Sequence, residues 1–369
     1  MTFVLGLETS CDETSVALLR EDGSIAASVV SSQIDMHRRY GGVVPEIAAR
    51  AHLTNLPPLL DEALERAGAR LEDVGLVVAT AGPGLVGALL VGLAEGRGLA
   101  LGLGVPFVPG HHIEGHALSP FLDLEGGPAR AVPPRFAALV VSGGHSHVFS
   151  FAPEGVAVLA RTRDDAAGEA YDKVAKMAGP GYPGGPVVDR LARSGRVVEP
   201  FAVPRFKGGS CDLSFSGLQT AVRDRLAALG FSPNTGVALR GPALPEDEAP
   251  PALRHLLAAF QEAVVAQIED RVDRLHAAER FPLLTVSGGV AANSLLRERL
   301  AAWGKRRGVE VLLAPRALTS DNAAMVAFAG LLRHRSGAPS EGLAAPARSR
   351  WPLEGLPGPS AEGARPPIG

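Results

Sequence analysis

FVLGLETSCDETSVALLREDGSIAASVVSS at residues 3–32 and FAALVVSGGHSHVFSFAPEGVAVLAR at residues 136–161 carry one pattern twice. Each opens on an apolar run, 3–7 or 136–141, that reads as a buried strand. A short loop of small and polar residues follows, centred on Glu8 to Thr14 in one case and on Ser142-Gly143-Gly144 in the other. Two more strands complete each meander, 15–20 and 25–31 in the first, 145–151 and 156–161 in the second, with Glu21-Asp22-Gly23 as a hairpin turn. Downstream the order repeats again. Helix 45–67, strand 74–80, the loop Gly82-Pro83-Gly84, an apolar helix from Leu85 and a strand at 106–109 match helix 253–278, strand 283–287, Gly288-Gly289, helix 292–303 and strand 309–313. Self-similarity on this scale is an architectural statement, ahead of any single motif.

Two copies of a β-β-β-α-β-α unit predict an α/β chain of two lobes facing each other. Each strand-to-glycine-loop-to-helix junction presents backbone N–H groups at a helix N-terminus, where anions are favoured. One such loop can be a plain tight turn; the ordered set points to a nucleotide cleft between the lobes, the logic of the actin, hexokinase and Hsp70 superfamily. Residues 1–110 with 305–350 are assigned to the N-terminal-type lobe and 111–304 to the second. Insertions are expected near 164–205 and 231–251, and 351–369 reads as a disordered tail from its proline, glycine and lack of periodicity.

At 369 residues, 46% of them hydrophobic, the chain can bury two cores. A net charge of −3 argues against a protein that grips nucleic acid by charge alone, so an RNA substrate would need local patches or a partner's help. Two cysteines, Cys11 and Cys211, cannot build a disulfide framework and fit a reducing compartment. No basic-then-apolar leader opens the sequence, and the apolar stretch 82–94 stops at Glu95, short of the roughly 20 residues of a membrane span. The expectation is a cytoplasmic protein with no membrane partner.

His111-His112-Ile113-Glu114-Gly115-His116 sets His112 and His116 four apart, on one face of a helix, where both can chelate one metal. A carboxylate must complete the set. Asp321 is the candidate, although at the start of an apolar helix it could equally be an N-cap. Isoleucine follows His112, so the zinc-protease pattern H-E-x-x-H is missing. Two histidines and one carboxylate with open positions suit a divalent ion, iron(II) or zinc.

At this point the motifs resemble a known family, the bacterial tRNA N6-adenosine threonylcarbamoyltransferases. The runs that carry the likeness are GLETSCDETSVAL from Gly6, YGGVVPEIAARAH from Tyr40, AGPGLVGALLVG from Ala81, HHIEGH from His111 and VVSGGH from Val140. DDAAGEAYDKVAK from Asp164, YPGGPVVD from Tyr182, SFSGLQT from Ser214, VSGGVAANSLLR from Val286 and SDNAAMVAFAG from Ser320 complete them. The resemblance implies two ribonuclease-H-like lobes. It implies transfer of threonylcarbamoyl from threonylcarbamoyl-AMP to N6 of the adenosine 3′ of the anticodon in tRNAs reading A-starting codons, with AMP released. It implies that His112, His116 and Asp321 bind one metal, Fe2+ preferred and Zn2+ as the other fit. Val140, Val141, Ser142, Gly143, Gly144, Asp172, Gly185, Asp189 and Asn293 would bind the donor. Asn293 could also be a simple N-cap. Implied partners are tRNA, a catalytically silent paralogue in a heterodimer, and a small P-loop ATPase; this chain lacks G-x-x-x-x-G-K-[ST] and is not that ATPase.

Acyl transfer to an amine needs a base, and Asp12 and Glu13 in the first hairpin loop are the candidates. Arg38-Arg39, Arg205 with Lys207, Arg223 with Arg225, and Lys305-Arg306-Arg307 are candidate phosphate contacts. Gln219 departs from the lysine common in relatives. His145 and His147 have no ligand spacing. The competing reading is a metal-assisted ATPase or phosphotransferase of the same superfold, since fold does not fix function.

Overall fold

The computed structural model describes residues 2–38, 40, 42–179, 181–204, 206–231 and 244–358. The first repeat folds as strands β1 (Phe3–Glu8), β2 (Glu13–Arg20) and β3 (Ile25–Ser32), helices α1 (Ile34–Arg38) and α2 (Pro45–Ala67), strand β4 (Val74–Gly82), helix α3 (Val86–Leu103) and strand β5 (Phe107–His111). They form one sheet in the order β3-β2-β1-β4-β5, antiparallel through the meander and parallel from β1 onward. Every residue of β4 is buried, as a strand covered on both faces requires.

Helix α4 (His112–Leu118) leads to the second repeat, with strands β6 (Phe136–Val141), β7 (Ser146–Ala152) and β8 (Gly155–Arg161). Helices α5 (Ala167–Ala178), α6 (Gly184–Arg193), α7 (Ser216–Ala228) and α8 (Pro251–Glu279) precede β9 (Leu283–Ser287), α9 (Ser294–Arg307), β10 (Glu310–Leu313) and α10 (Ala323–Ser336). The second sheet runs β10-β9-β6-β7-β8; counted from the meander edge, its topology repeats the first. The two-lobed α/β fold read from the duplication is the observed one.

The lobes share apolar packing behind the site. One cluster joins Val4, Leu76 and Val108 of the first sheet to Ala138, Val140 and Phe149 of the second, through Ile113 of α4 and Met325 of α10. Helix α10 lies on β1, β2, β4 and β5 and also against α4. Gly6 makes that seat possible: a Cβ there would stand 2.4 Å from the Ala323 carbonyl oxygen.

Several boundaries differ from the sequence reading. Glu310–Leu313 pairs with β9, so the chain returns to the first lobe after that strand and not at 305. Residues 351–358 are not a loose tail. Leu353 is buried in the shared cluster, the His111 ring bonds the Trp351 carbonyl, the Val156 N–H donates to the Leu356 carbonyl and the Gly355 N–H to the Val156 carbonyl; residues 359–369 lie outside the described residues. Widely spaced apolar anchors among prolines and glycines hide such a strap from periodicity. The insertion at 164–205 contains α5 and α6. In that at 231–251, residues 232–243 lie outside the described residues; beyond them, Ala249 is buried and the Leu244 carbonyl accepts from Arg190 at 2.8 Å. The apolar run at 82–94 also continues further than its composition suggested. Helix α3 is long and apolar enough by composition to cross a membrane, yet Ala88, Leu89, Gly92, Leu93, Gly96 and Ala100 are buried within the fold.

Candidate active site

Three chain segments converge where the first sheet ends. The loop after β1 is pinned by Thr9, whose hydroxyl donates to the Ala88 carbonyl at 2.9 Å and accepts the Gly92 N–H at 3.2 Å. The second segment is α4, whose i, i+4 spacing stacks the His112 and His116 rings edge to face, centroids 4.7 Å apart. The third is the turn before α10. There Asn322 takes the N-cap, its Oδ1 accepting from Met325 at 2.9 Å, which leaves the Asp321 carboxylate free for other work.

Asp321 Oδ1 lies 3.1 Å from His116 Nε2 and 3.6 Å from His112 Nε2, and one ligand atom from each residue falls within 4.8 Å of the others. Behind His112 stands Glu8, fully buried, with Oε2 3.1 Å from Nδ1. The Ser10 hydroxyl is also 3.1 Å from that nitrogen. Glu8 is held in turn by the Ser10 N–H at 2.5 Å and the Thr80 hydroxyl at 2.7 Å. A carboxylate on one imidazole nitrogen, leaving the other to face the open side, is the usual support of a metal-binding histidine. The chemistry of the donor set therefore fits a divalent cation.

The electrostatics agree with the geometry. Burial opposes a charge on His112, but Asp321 and Glu8 outweigh it and push the imidazole up to about 9. Burial acts against the Asp321 and Glu8 carboxylates too, yet the neighbouring imidazoles hold both below their ordinary range. The buried Glu8 and the partly exposed Asp321 thus hold a positive charge on His112 where the donors converge. His145, at the end of the 142–145 turn, is pushed down to about 3 by burial and by the charges of His112, His147 and His116.

Asp12 and Glu13, at the start of β2, lie close enough to Asp321 and Asp172 for their charges to interact. Burial, then Asp321 and Asp12, raise the Glu13 carboxyl to about 9, so it carries a proton at neutral pH. Burial raises Asp172, on α5, to about 6, with Asp12 contributing from the opposite lobe. Asp172 accepts the Gly184 N–H at 2.7 Å beside Gly185, where a Cβ would meet open space. Ser142 closes a turn with His145, and Gly143 and Gly144 are exposed on it.

Other sequence candidates sit differently. Val140 and Val141 are completely buried between β7 and β9, so their side chains pack in the sheet and shape the turn. Asn293 caps α9, its Oδ1 accepting from Leu296 at 3.0 Å while its amide donates to Gln261 at 2.9 Å. Asp189 spends one oxygen on Ser294 at 2.7 Å and the other on Arg193 at 2.7 Å. Gln219 donates to Asp165 at 2.7 Å. The basic clusters are largely ion-paired: Arg38 with Asp35, Arg223 with Asp224, Arg225 with Glu199, Arg306 with Glu269 and Arg307 with Asp273. Arg39 and Arg205 lie outside the described residues. Sequence reasoning missed Glu8, whose one signal is a carboxylate ending an otherwise apolar strand, and it missed the strap at Trp351.

Comparison with known proteins now has a geometry to meet. A family profile for tRNA N6-adenosine threonylcarbamoyltransferase matches residues 24–328. A protein of that name from Thermus thermophilus is 44% identical over 353 residues, spanning 95% of this chain and 99% of its own length. Its counterpart from Paramagnetospirillum magneticum is 45% identical over 361 residues, 95% of this chain and 97% of that one. Among solved structures, HypF from T. kodakarensis superposes with a TM-score of 0.56 at 14% identity, covering 89% of this chain and 47% of that one, a likeness of fold alone.

Proposed function

This chain belongs to the tRNA N6-adenosine threonylcarbamoyltransferase family, and on that premise we propose that it moves threonylcarbamoyl from threonylcarbamoyl-AMP to N6 of the adenosine 3′ of the anticodon in tRNAs reading A-starting codons. The amine nitrogen bonds to the carbamoyl carbon, the bond from that carbon to the phosphate oxygen breaks, and AMP leaves. The observation that carries the reading is the meeting of His112, His116 and Asp321, the last two 205 positions apart, at the cleft.

His112, His116 and Asp321 would hold one divalent ion, Fe2+ in our reading and Zn2+ as the other fit. When bound, that ion supplies Lewis-acid polarisation of the carbonyl under attack. The rest falls to the chain. Glu8 fixes the orientation of His112. The turn closed by Ser142 exposes Gly143 and Gly144, whose backbone N–H groups are offered to the donor phosphate. Asp172 and Gly185 border the donor from α5 and α6, whereas Val140, Val141, Asp189 and Asn293 act by holding those elements in place. Asp12 takes the proton that the amine must lose, with Glu13 beside it, its carboxyl raised in the metal-free protein by burial and the Asp321 charge. Holding both reactants in near-attack geometry supplies much of the rate.

The reading includes a cytoplasmic setting and two protein partners, a catalytically silent paralogue and a small P-loop ATPase. Its support is the near-neutral charge and the pairing of the basic clusters, which leave RNA capture to be shared. The test is nucleoside mass spectrometry of tRNA incubated with donor, metal, the partners and this chain. Wild type forms threonylcarbamoyladenosine and His116→Ala does not; absence of product with wild type, or its formation by His116→Ala, overturns the assignment.

A further inference from the structure

A cavity of about 290 Å³ opens between the strap at 349–354 and strands β7 and β8, with His145 in its wall. None of its walls belongs to the residues assigned to the donor. His112, His116 and Asp321 are not among its walls; the link to them is His145, which lines the cavity and whose imidazole feels their charges. Its volume is near the lower bound of roughly 300 Å³ for small-molecule sites, room for one nucleoside and little more.

The walls have the chemistry of single-stranded RNA recognition. The half-buried Trp351 supplies aromatic surface over a floor that includes the buried Phe149, and Trp351 is fixed by its contacts with the His111 ring, 4.7 Å between centroids, and the Arg348 guanidinium. Arg161 and Arg350 are exposed at the rim, and among the described residues neither has a carboxylate partner, unlike Arg223, Arg306 and Arg307. Glu354 stands in the wall and can accept from a 2′-hydroxyl or an exocyclic amine. Aromatic stacking with cations at the rim is how unpaired bases and their phosphates are held.

We propose that this cavity receives the acceptor nucleotide of the tRNA, its base stacked against Trp351 and its flanking phosphates on Arg161 and Arg350. The exocyclic amine then reaches the metal-facing side chains past His145 while the donor enters from the Ser142–Gly144 side. This rests on the transferase reading above. It further requires that the C-terminal strap is a wall of the acceptor site.

The experiment compares wild type with an Arg161→Gln/Arg350→Gln double variant, each as the full chain with the partner proteins present. The probe is an anticodon stem–loop RNA, titrated across a salt series. Binding should weaken at least about tenfold, and the slope of log affinity against log salt should fall by roughly 1.4, two phosphates at about 0.7 each. Zinc affinity and the KM for threonylcarbamoyl-AMP should stay at wild-type values. An abasic acceptor position should weaken wild-type binding about 5- to 150-fold, the worth of one stacked base, and weaken Trp351→Ser binding far less. Wild-type RNA affinity in the double variant sinks the cavity assignment alone, as does a selective rise in the donor's KM. If the wild-type assembly neither binds the RNA nor modifies it, the transferase reading falls and this one with it.

Discussion

Glu8→Gln is the sharpest probe of the site, because the structure dictates which way the new amide must face. The Ser10 N–H donates to Glu8 Oε1 at 2.5 Å and can only donate, so a glutamine must keep its oxygen there. Its NH2 group is then forced onto Oε2's place, toward the Thr80 hydroxyl and His112 Nδ1, 3.1 Å away. Nδ1 becomes an acceptor, the ring proton moves to Nε2, and Nε2 can no longer bind a cation facing Asp321. Loss of a carboxylate behind a liganding histidine costs 10–100-fold in metal affinity, about 1.4–2.7 kcal/mol. The variant is nearly isosteric and keeps three hydrogen bonds. The assay is zinc titration of chelator-stripped protein against a chromophoric competitor, with thermal unfolding of the metal-free form as control. Zinc affinity within twofold of wild type, in a variant that remains folded, refutes the argument. If wild type binds no zinc, the metal reading itself fails.

Four further outcomes follow from the same geometry. Zinc must displace the proton that Asp321 and Glu8 hold on His112, so affinity should rise about tenfold per pH unit and level off near 9; a flat profile between pH 6 and 8 contradicts this. In the metal-free protein, His112 is raised above the roughly 6.5 of an unfolded histidine. Its stabilisation is complete below that value and is lost as pH rises toward 9, visible in urea midpoints across that window. Gly6→Ala drives a methyl into the Ala323 carbonyl oxygen and should cost about 1–3 kcal/mol in urea unfolding, while weakening zinc binding because α10 carries Asp321 out of reach. Asp12→Asn should slow single-turnover transfer about 10²–10⁴-fold with zinc affinity unchanged, whereas Glu13→Gln, which keeps a hydrogen-bond donor, should slow it less.

Much of this molecule was legible before any coordinate. The meander strands alternate or bury whole apolar runs, and the glycine loops punctuate them at matching places, so the two sheets and their common topology followed from pattern alone. The His112/His116 pair was equally plain, because helical spacing fixes which side chains share a face. Asp321 was ambiguous for a physical reason: Asp321 and Asn322 are both good caps, and only tertiary packing decides that Asn322 takes the N-H groups. Local pattern could not reveal that Asn293 spends its amide on Gln261, or that Arg306 meets Glu269, since these partners lie 32 and 37 positions away. Glu8 and the strap share that property; their meaning lies in what they touch.

The third metal-facing side chain arrives at position 321 and the strap beyond 350, after all ten strands of the two sheets. During synthesis the growing polypeptide holds both imidazoles and the glycine turns long before it holds the aspartate that draws them together. A ribosome that stalls before that point leaves a product with Glu8 behind His112 but without the carboxylate that completes the metal-facing set.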